Sequence, residues 1–241
     1  AAELGSMRIT NQIDALRWAQ SIGGLPALMA RSRASCAVLE RWVAATDWVD
    51  FLAERTKGLE VVTPEPFAGR YERKGEAGAV EWAIAWTPAG FGEADSFMQS
   101  YCNTVPTPEG GTHEAGFRAA LLKGLKAYAE RVGEKRGGIL TAEDVIAQAG
   151  SLISVFIRNP EFQGQTKERL SSSSAQRLVE NVLRDPFDHW LTGQPKVAAA
   201  LLAFVADRAE ERLKRRKDRD VARASATRKL RLPGKLADCS N

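Results

Sequence analysis

Phe162-Gln163-Gly164-Gln165-Thr166-Lys167 is the stretch of this sequence whose residue types suit a charged ligand. It follows an apolar, β-branched run, Leu152 to Ile157, and sets an aromatic anchor, a glycine, an amide and an ammonium in close succession. Lysine and glutamine at a loop tip can contact terminal phosphate oxygens without any base, which suits sensing a nucleotide rather than transforming it. Composition alone favours a plain polar surface loop at the same place. The two histidines, in Gly110-Gly111-Thr112-His113-Glu114 and Asp188-His189-Trp190, assemble no nucleophile triad. His113 is expected as a hydrogen-bonding residue at a helix start and His189 as a buried structural one. Gly110-Gly111 lacks the spacing of a phosphate-cradling loop and reads as a turn. Cys36, Cys102 and Cys239 stand too far apart for a zinc site, which needs about four clustered ligands. They are expected as reduced, mostly buried thiols, with no metal bound.

A basic run lies near the end of the chain. From Val205 onward there are 12 Lys/Arg against 6 Asp/Glu, a local +6, so that the net +4 of the whole leaves −2 for the remainder. Such a run suits a solvated helix face or a polyanion, whose counterions lysine and arginine release. With 44% hydrophobic and 27% charged residues in 241, there is ample apolar surface for one large core or two small ones, which excludes wholesale disorder. No run approaches the roughly 20 apolar residues of a membrane span, and the first thirty residues lack a secretory pattern. A cytoplasmic protein that makes no membrane contact is the expectation.

The elements that must carry these residues are legible from period and punctuation. Ala1–Ser6 ends in Gly-Ser before Met7 and reads as a cloning scar. Helices are expected over residues 13–22 and, after Gly23-Gly24 and Pro26, from Leu28 to Val43 at spacings of three and four. Arg70–Lys74 reads as a strand running into a glycine turn. Val80, Trp82, Ile84 and Trp86 alternate with Glu81, Ala83 and Ala85 as in a half-buried strand. One strand is expected over Phe97–Val105, and a helix over Glu114–Val132 ended by Gly133. Thr141 with Asp144 signals a capped short helix through Ala149, before the strand Leu152–Ile157. Asn159 to Glu168 reads as a polar loop. Two helical pieces follow, Gln176–Leu183 and Pro186–Leu191. Lys196 to Leu230, free of Pro and Gly, reads as one helix of roughly 50 Å at about 1.5 Å per residue, buried only in its first part.

Several motifs in order carry a resemblance. They are Ser100-Tyr101-Cys102-Asn103-Thr104, Glu109-Gly110-Gly111-Thr112-His113-Glu114-Ala115-Gly116-Phe117, Ile153-Ser154-Val155, Phe162 to Lys167, and the closing Lys229-Leu230-Arg231-Leu232-Pro233-Gly234-Lys235-Leu236-Ala237-Asp238-Cys239. From about Phe51 to Asn241 the chain resembles the B subunit of bacterial type IIA topoisomerases, that of topoisomerase IV first and gyrase B more loosely. The resemblance implies an α/β (α+β) fold of the ribosomal-protein-S5-domain-2-like kind, the transducer domain, over 53–195. It implies a long transducer helix over 196–231 and, at 232–241, the start of a linker to a Toprim domain. In that family a Gln-Thr-Lys loop reaches the neighbouring ATPase domain, so Gln165 and Lys167 are the implied contacts to the γ-phosphate of ATP. The resemblance further implies that the magnesium ion accompanying the nucleotide is held by the ATPase domain and that this chain is expected to bind no cofactor independently. The long helix relays nucleotide state to the DNA gate. Charge alone adds Arg212, Lys214, Arg215, Arg216, Lys217 and Arg219 as residues that face DNA. The implied partners are DNA, the ATPase and Toprim domains, and the A-type subunit.

The magnesium-binding asparagine helix of the ATPase domain, its glycine-rich lid and the Glu-Gly-Asp-Ser-Ala-Gly-Gly motif of Toprim do not occur in the sequence. The expectation is therefore a transducer fragment that neither hydrolyses ATP nor relaxes DNA alone, and no catalytic residue is assigned. Residues 7–52 form a different segment. Ile13 to Leu25, continuing to Trp48-Val49-Asp50-Phe51-Leu52, resembles a piece of phosphoserine aminotransferase without its Schiff-base lysine segment. The chain thus reads as a chimera joined between Trp48 and Glu54. Two other readings remain open: a chimeric interaction or regulatory protein that competes with the intact B subunit or binds DNA, and a folded fusion product without a function of its own.

Overall fold

A computed structural model describes residues 48–72, 78–92 and 94–229. The chain divides between Asp47 and Trp48, and the described residues all belong to the second unit, Trp48–Asn241. The first unit lies outside the described residues, and with it the 1–6 scar, Cys36 and the helices expected before residue 48. The turn expected at 73–77, the closing motif at 230–241 and Cys239 lie outside them too.

Within the second unit the order is α1 (Trp48–Thr56), β1 (Phe67–Glu72), β2 (Ala79–Trp86), β3 (Phe97–Cys102), β4 (Val105–Pro106) and α2 (Thr112–Val132). A short 3-10 helix (Lys135–Ile139), α3 (Ala142–Ile146), β5 (Ala149–Phe156), β6 (Phe162–Gln163), β7 (Arg169–Leu170), α4 (Ser173–Gly193) and α5 (Pro195–Lys229) complete it. This is a mixed α/β architecture with a long C-terminal helix. Helix α1 runs across the 52/53 boundary expected from the sequence.

The main sheet has the order β1-β2-β5-β3-β4. Strand β5, late in the sequence, inserts at the centre, antiparallel to β2 and parallel to β3. A central strand is covered on both faces, which is why Ala149–Phe156 is apolar or small almost throughout and buried over seven of its eight positions. On one face Val80, Ile84 and Trp86 of β2 join Ile153 and Val155 of β5 in the main core, with Phe117, Leu121 and Leu125 of α2 and Val179, Leu183 and Phe187 of α4. Trp86 also donates its ring N–H to Val145 O at 2.7 Å, tying α3 to the sheet.

The opposite face corrects the expectation of a half-buried β2. Ala83 and Ala85 are buried with Leu152 beneath Leu52 of α1. Their small side chains let that helix approach closely. Phe51 meets Phe97 edge-on at 6.3 Å, and the Arg55 guanidinium lies over both rings.

Other departures have local causes. The strand expected over Phe97–Val105 folds back into a hairpin, because Asn103 and Thr104 both take positive φ, 49° and 67°. Asn103 is fixed there by donating Nδ2–H to Ile157 O and accepting Ile157 N–H on Oδ1, each at 2.9 Å. The two helical pieces expected around Pro186 are one helix, α4, with the proline inside it. The buried stripe Val179, Val182, Leu183, Phe187, Leu191 passes straight through, so packing outweighs the roughly 3 kcal/mol of an internal proline. His189, expected buried, is exposed, since Phe187 and Leu191 take the inward positions of that turn. The capping box of Thr141 with Asp144, the left-handed C-cap Gly133 and the single long α5 are as the sequence indicates.

Candidate functional site

The loop expected over 159–168 contains a β-hairpin. Phe162 pairs with Leu170 and Gln163 with Arg169. Phe162 packs on the core and Leu170 is buried in it, so the base of the hairpin faces inward and its tip outward. The tip turns at Gly164, φ 82°, and at Lys167, φ 58°. A left-handed lysine costs roughly 1–2 kcal/mol, since its Cβ crowds the following carbonyl, and such strain gathers where a site needs it. Gln165 and Lys167 are exposed, and among the described residues neither side chain makes a hydrogen bond or ion pair. An uncommitted ammonium beside an uncommitted amide fits the terminal oxygens of a phosphate ester.

The base is held from outside. Ser171 N–H donates to Glu161 O at 2.8 Å, and Glu161 N–H donates to Ser172 Oγ at 2.7 Å. On the other side Leu170 N–H donates to Gly110 O at 3.0 Å, and Glu109 N–H donates to Glu168 O at 3.1 Å. Sequence reasoning saw Gly110-Gly111 only as a turn and missed this contact across some sixty residues.

His113 sits in the first turn of α2, fully buried. Its Nε2 lies 3.2 Å from Thr107 Oγ1, which is 2.7 Å from Ser100 Oγ. Its Nδ1 has no hydrogen-bond partner among the described residues. Burial first, and the nearby Arg118 charge second, lower its pKa to about 4, so it is neutral at pH 7. Shielded from any ligand, it serves packing rather than proton transfer. Cys102 is likewise buried, and burial raises its pKa to about 11, which leaves an unreactive thiol.

The basic run divides. Arg212 donates Nε–H and Nη2–H to the two carboxylate oxygens of Asp144 at 2.8 and 3.0 Å, and Nη2–H to Ile139 O at 3.1 Å. Its guanidinium is committed to the body of the fold, which corrects its place among residues turned towards DNA. Burial raises the Asp144 carboxyl, but the Arg212 and Thr141 hydrogen bonds outweigh it and hold the group below its ordinary value. Sequence reading found Asp144 as a cap, while its partner 68 positions on left no signal. Arg215, Arg216 and Arg219 line a groove of about 890 Å³, shared with Asp95, Glu143 and Glu211. Lys214 and Lys217 are exposed on α5 and are not part of that lining.

Among the described residues no group of three or more His, Cys, Asp or Glu is arranged to hold a metal ion, and no helix is long and apolar enough to cross a membrane.

The sequence model of the family described as DNA gyrase B matches residues 46–221. The B subunit of DNA topoisomerase 4 from Caulobacter vibrioides is 78% identical over 191 residues, covering 79% of this chain and 28% of the relative. Its counterpart from Bartonella bacilliformis is 56% identical over the same length, covering 79% and 27%. The chain therefore spans a little over a quarter of the curated relatives it matches. Among solved structures, the topoisomerase IV ATP-binding domain of Francisella tularensis superposes with a TM-score of 0.58 at 29% identity, covering 68% of this chain and 43% of that one. The 43K ATPase domain of Thermus thermophilus gyrase B gives 0.61 at 26%, covering 72% and 45%.

Proposed function

We propose, from the premise that this chain belongs to the DNA gyrase B family, that it is the transducer portion of a type II topoisomerase B subunit of the topoisomerase IV kind. In this reading it senses ATP bound in an ATPase domain and relays that state to the DNA gate, and it performs no chemistry alone. The supporting observation is the exposed hairpin tip, where Gln165 and Lys167 stand uncommitted on a base fixed to the core. The Lys167 ammonium meets the γ-phosphate as a point charge, and the Gln165 amide adds a donor to the same group. The nucleotide and its magnesium ion are held by the ATPase domain. When the terminal phosphate leaves, the anion that held the hairpin is gone, and the change passes through the packed body to α5.

The exposed Lys214, Arg215, Arg216, Lys217 and Arg219 face DNA in this reading, with Arg212 serving as their anchor to the fold. Residues 7–52 are the aminotransferase-like part of a fusion. The family match begins at residue 46, so it supports a division of this kind but overlaps residues 46–52.

The test is complementation: the 241-residue chain is added to a separate ATPase-domain fragment and ATP turnover is followed. Stimulation that disappears in Lys167→Ala is the expected result. Equal stimulation by the parent and by Lys167→Ala would sink the assignment of the lysine. No stimulation by either at high micromolar concentration would sink the transducer reading for this chain.

A further inference from the structure

The β6–β7 hairpin cannot position its own tip. Each strand contributes two residues, and isolated two-stranded hairpins are marginal even when longer. Its orientation must come from what grips it. Beside the core packing of Phe162 and Leu170, that grip is a seam with the segment Glu109-Gly110-Gly111-Thr112, which leads directly into α2. Glu168, the residue after Lys167, accepts the Glu109 N–H, and Leu170 donates its N–H to Gly110 O. Gly111 forms a parallel bridge with Leu170. Thr112 Oγ1 then donates to Ser172 O at 2.7 Å, closing the seam just beyond the hairpin.

The approach is one that only glycine permits. A Cβ on Gly111 would strike the Leu170 carbonyl oxygen and lie 2.7 Å from its nitrogen, both rigid backbone atoms. The φ of Gly111, 144°, also lies where side chains are rarely found. Gly110, φ 68°, leaves the space into which the Glu114 carboxylate fits, 2.6 Å from where its Cβ would be. The seam ends on a firm base, since Phe117, Leu121 and Leu125 of α2 are fully buried.

We infer that Gly111 and Thr112 are positioning residues for Lys167: they fix the hairpin to the first turn of α2 and so set where the ammonium stands. This rests on the proposed reading of Lys167 as the phosphate contact. Gly111 and Thr112 touch no nucleotide themselves; they act through the lysine. The same seam makes α2 the element on which any pull on the hairpin first falls.

The experiment uses the full chain in the complementation assay, with Gly111→Ala, Thr112→Val, Thr112→Ser and Lys167→Ala. Gly111→Ala and Thr112→Val are expected to lower the stimulation about tenfold or more, since angstrom-scale misplacement of a contacting group has effects of that order. Thr112→Ser, which keeps the hydroxyl, should restore it. The decisive readout is amide exchange at Glu109 and Leu170, which Thr112→Val should speed and Lys167→Ala should leave unchanged. Unchanged protection of both amides in Thr112→Val, or full stimulation by both Gly111→Ala and Thr112→Val, overturns the inference while leaving Lys167 in place. Thr112→Val keeps the comparison open if Gly111→Ala fails to fold. If Lys167→Ala stimulates as the parent does, the phosphate reading itself fails. Amide exchange then decides the seam: faster exchange at Glu109 and Leu170 in Thr112→Val supports it, and unchanged protection refutes it.

Discussion

Two regions present exposed basic side chains, the β6–β7 hairpin and the far half of α5, and the fold holds them by different means. At the hairpin the grip is on the backbone, through the bonds of Glu168 and Leu170 to Glu109 and Gly110, and one lysine stands at the tip in a left-handed conformation. On α5 the grip is a side chain: the forked pair of Arg212 with Asp144 anchors the helix, and Lys214 to Arg219 project beyond it on ordinary helical backbone. The hairpin thus has one defined position for one charge. The helix offers several interchangeable charges along a rod. A single contact to a small anion needs the first arrangement, whereas a polyanion with many equivalent phosphates is served by the second.

The largest effect that would break this contrast is expected at the clamp. Asp144→Ala should destabilise the chain by about 2–4 kcal/mol, because it leaves the Arg212 guanidinium, a third exposed, without its partner and removes the cap of α3. Urea unfolding checks it, and a loss under about 1 kcal/mol would mean that the Arg212–Asp144 clamp adds little to the apolar packing and the Arg136–Asp207 contact that also hold α5.

Acid should separate the two regions by pH. The folded pKa of His113, about 4, lies below its ordinary 6.5, so the unfolded chain binds that proton more readily between the two. Its contribution is complete above pH 6.5 and is lost as pH falls towards 4, on the order of 3 kcal/mol in all. Asp144, held below 3.8, keeps its contribution down to that pH and loses it only below. Stability measured against pH should show this slope, and His113→Phe should abolish it above pH 4. A slope that persists in the variant would place the effect elsewhere.

A smaller effect sharpens the hairpin side. Lys167→Gly relieves the left-handed lysine and should raise stability by about 1 kcal/mol while abolishing stimulation of the ATPase domain. A stability loss would show that the lysine side chain supports the fold. Smallest of all, Lys214→Ala with Lys217→Ala should leave the thermal midpoint within about 2 °C of the parent. If these lysines meet DNA, the dependence of binding on salt should weaken by about one unit for each charge removed. An unchanged salt slope would remove them from the interface.

Much of the frame was legible before folding was considered. The period of β2, the Thr141–Asp144 cap, Gly133 at the end of α2 and the uninterrupted run of α5 are signals that a few neighbouring residues carry among themselves. Where the sequence misled, a distant partner had intervened. Ala83 and Ala85 read as an outer face until α1 covered them, and Pro186 read as a break until a continuous apolar stripe packed through it. Gln165 and Lys167 were visible by type and by resemblance, but their freedom from partners was not.

Local chemistry and short spacings were enough for α2, α5, the cap of α3, most strands, the uneven charge, and the candidacy of Gln165 and Lys167. Long-range packing set β5 between β2 and β3, made Arg212 a clamp, and brought Gly111 against Leu170. Each of these joins residues about sixty or more positions apart, or depends on a strand entering late. Such pairings are selected by shape and burial across the whole core, and nothing in either partner's neighbourhood announces the other.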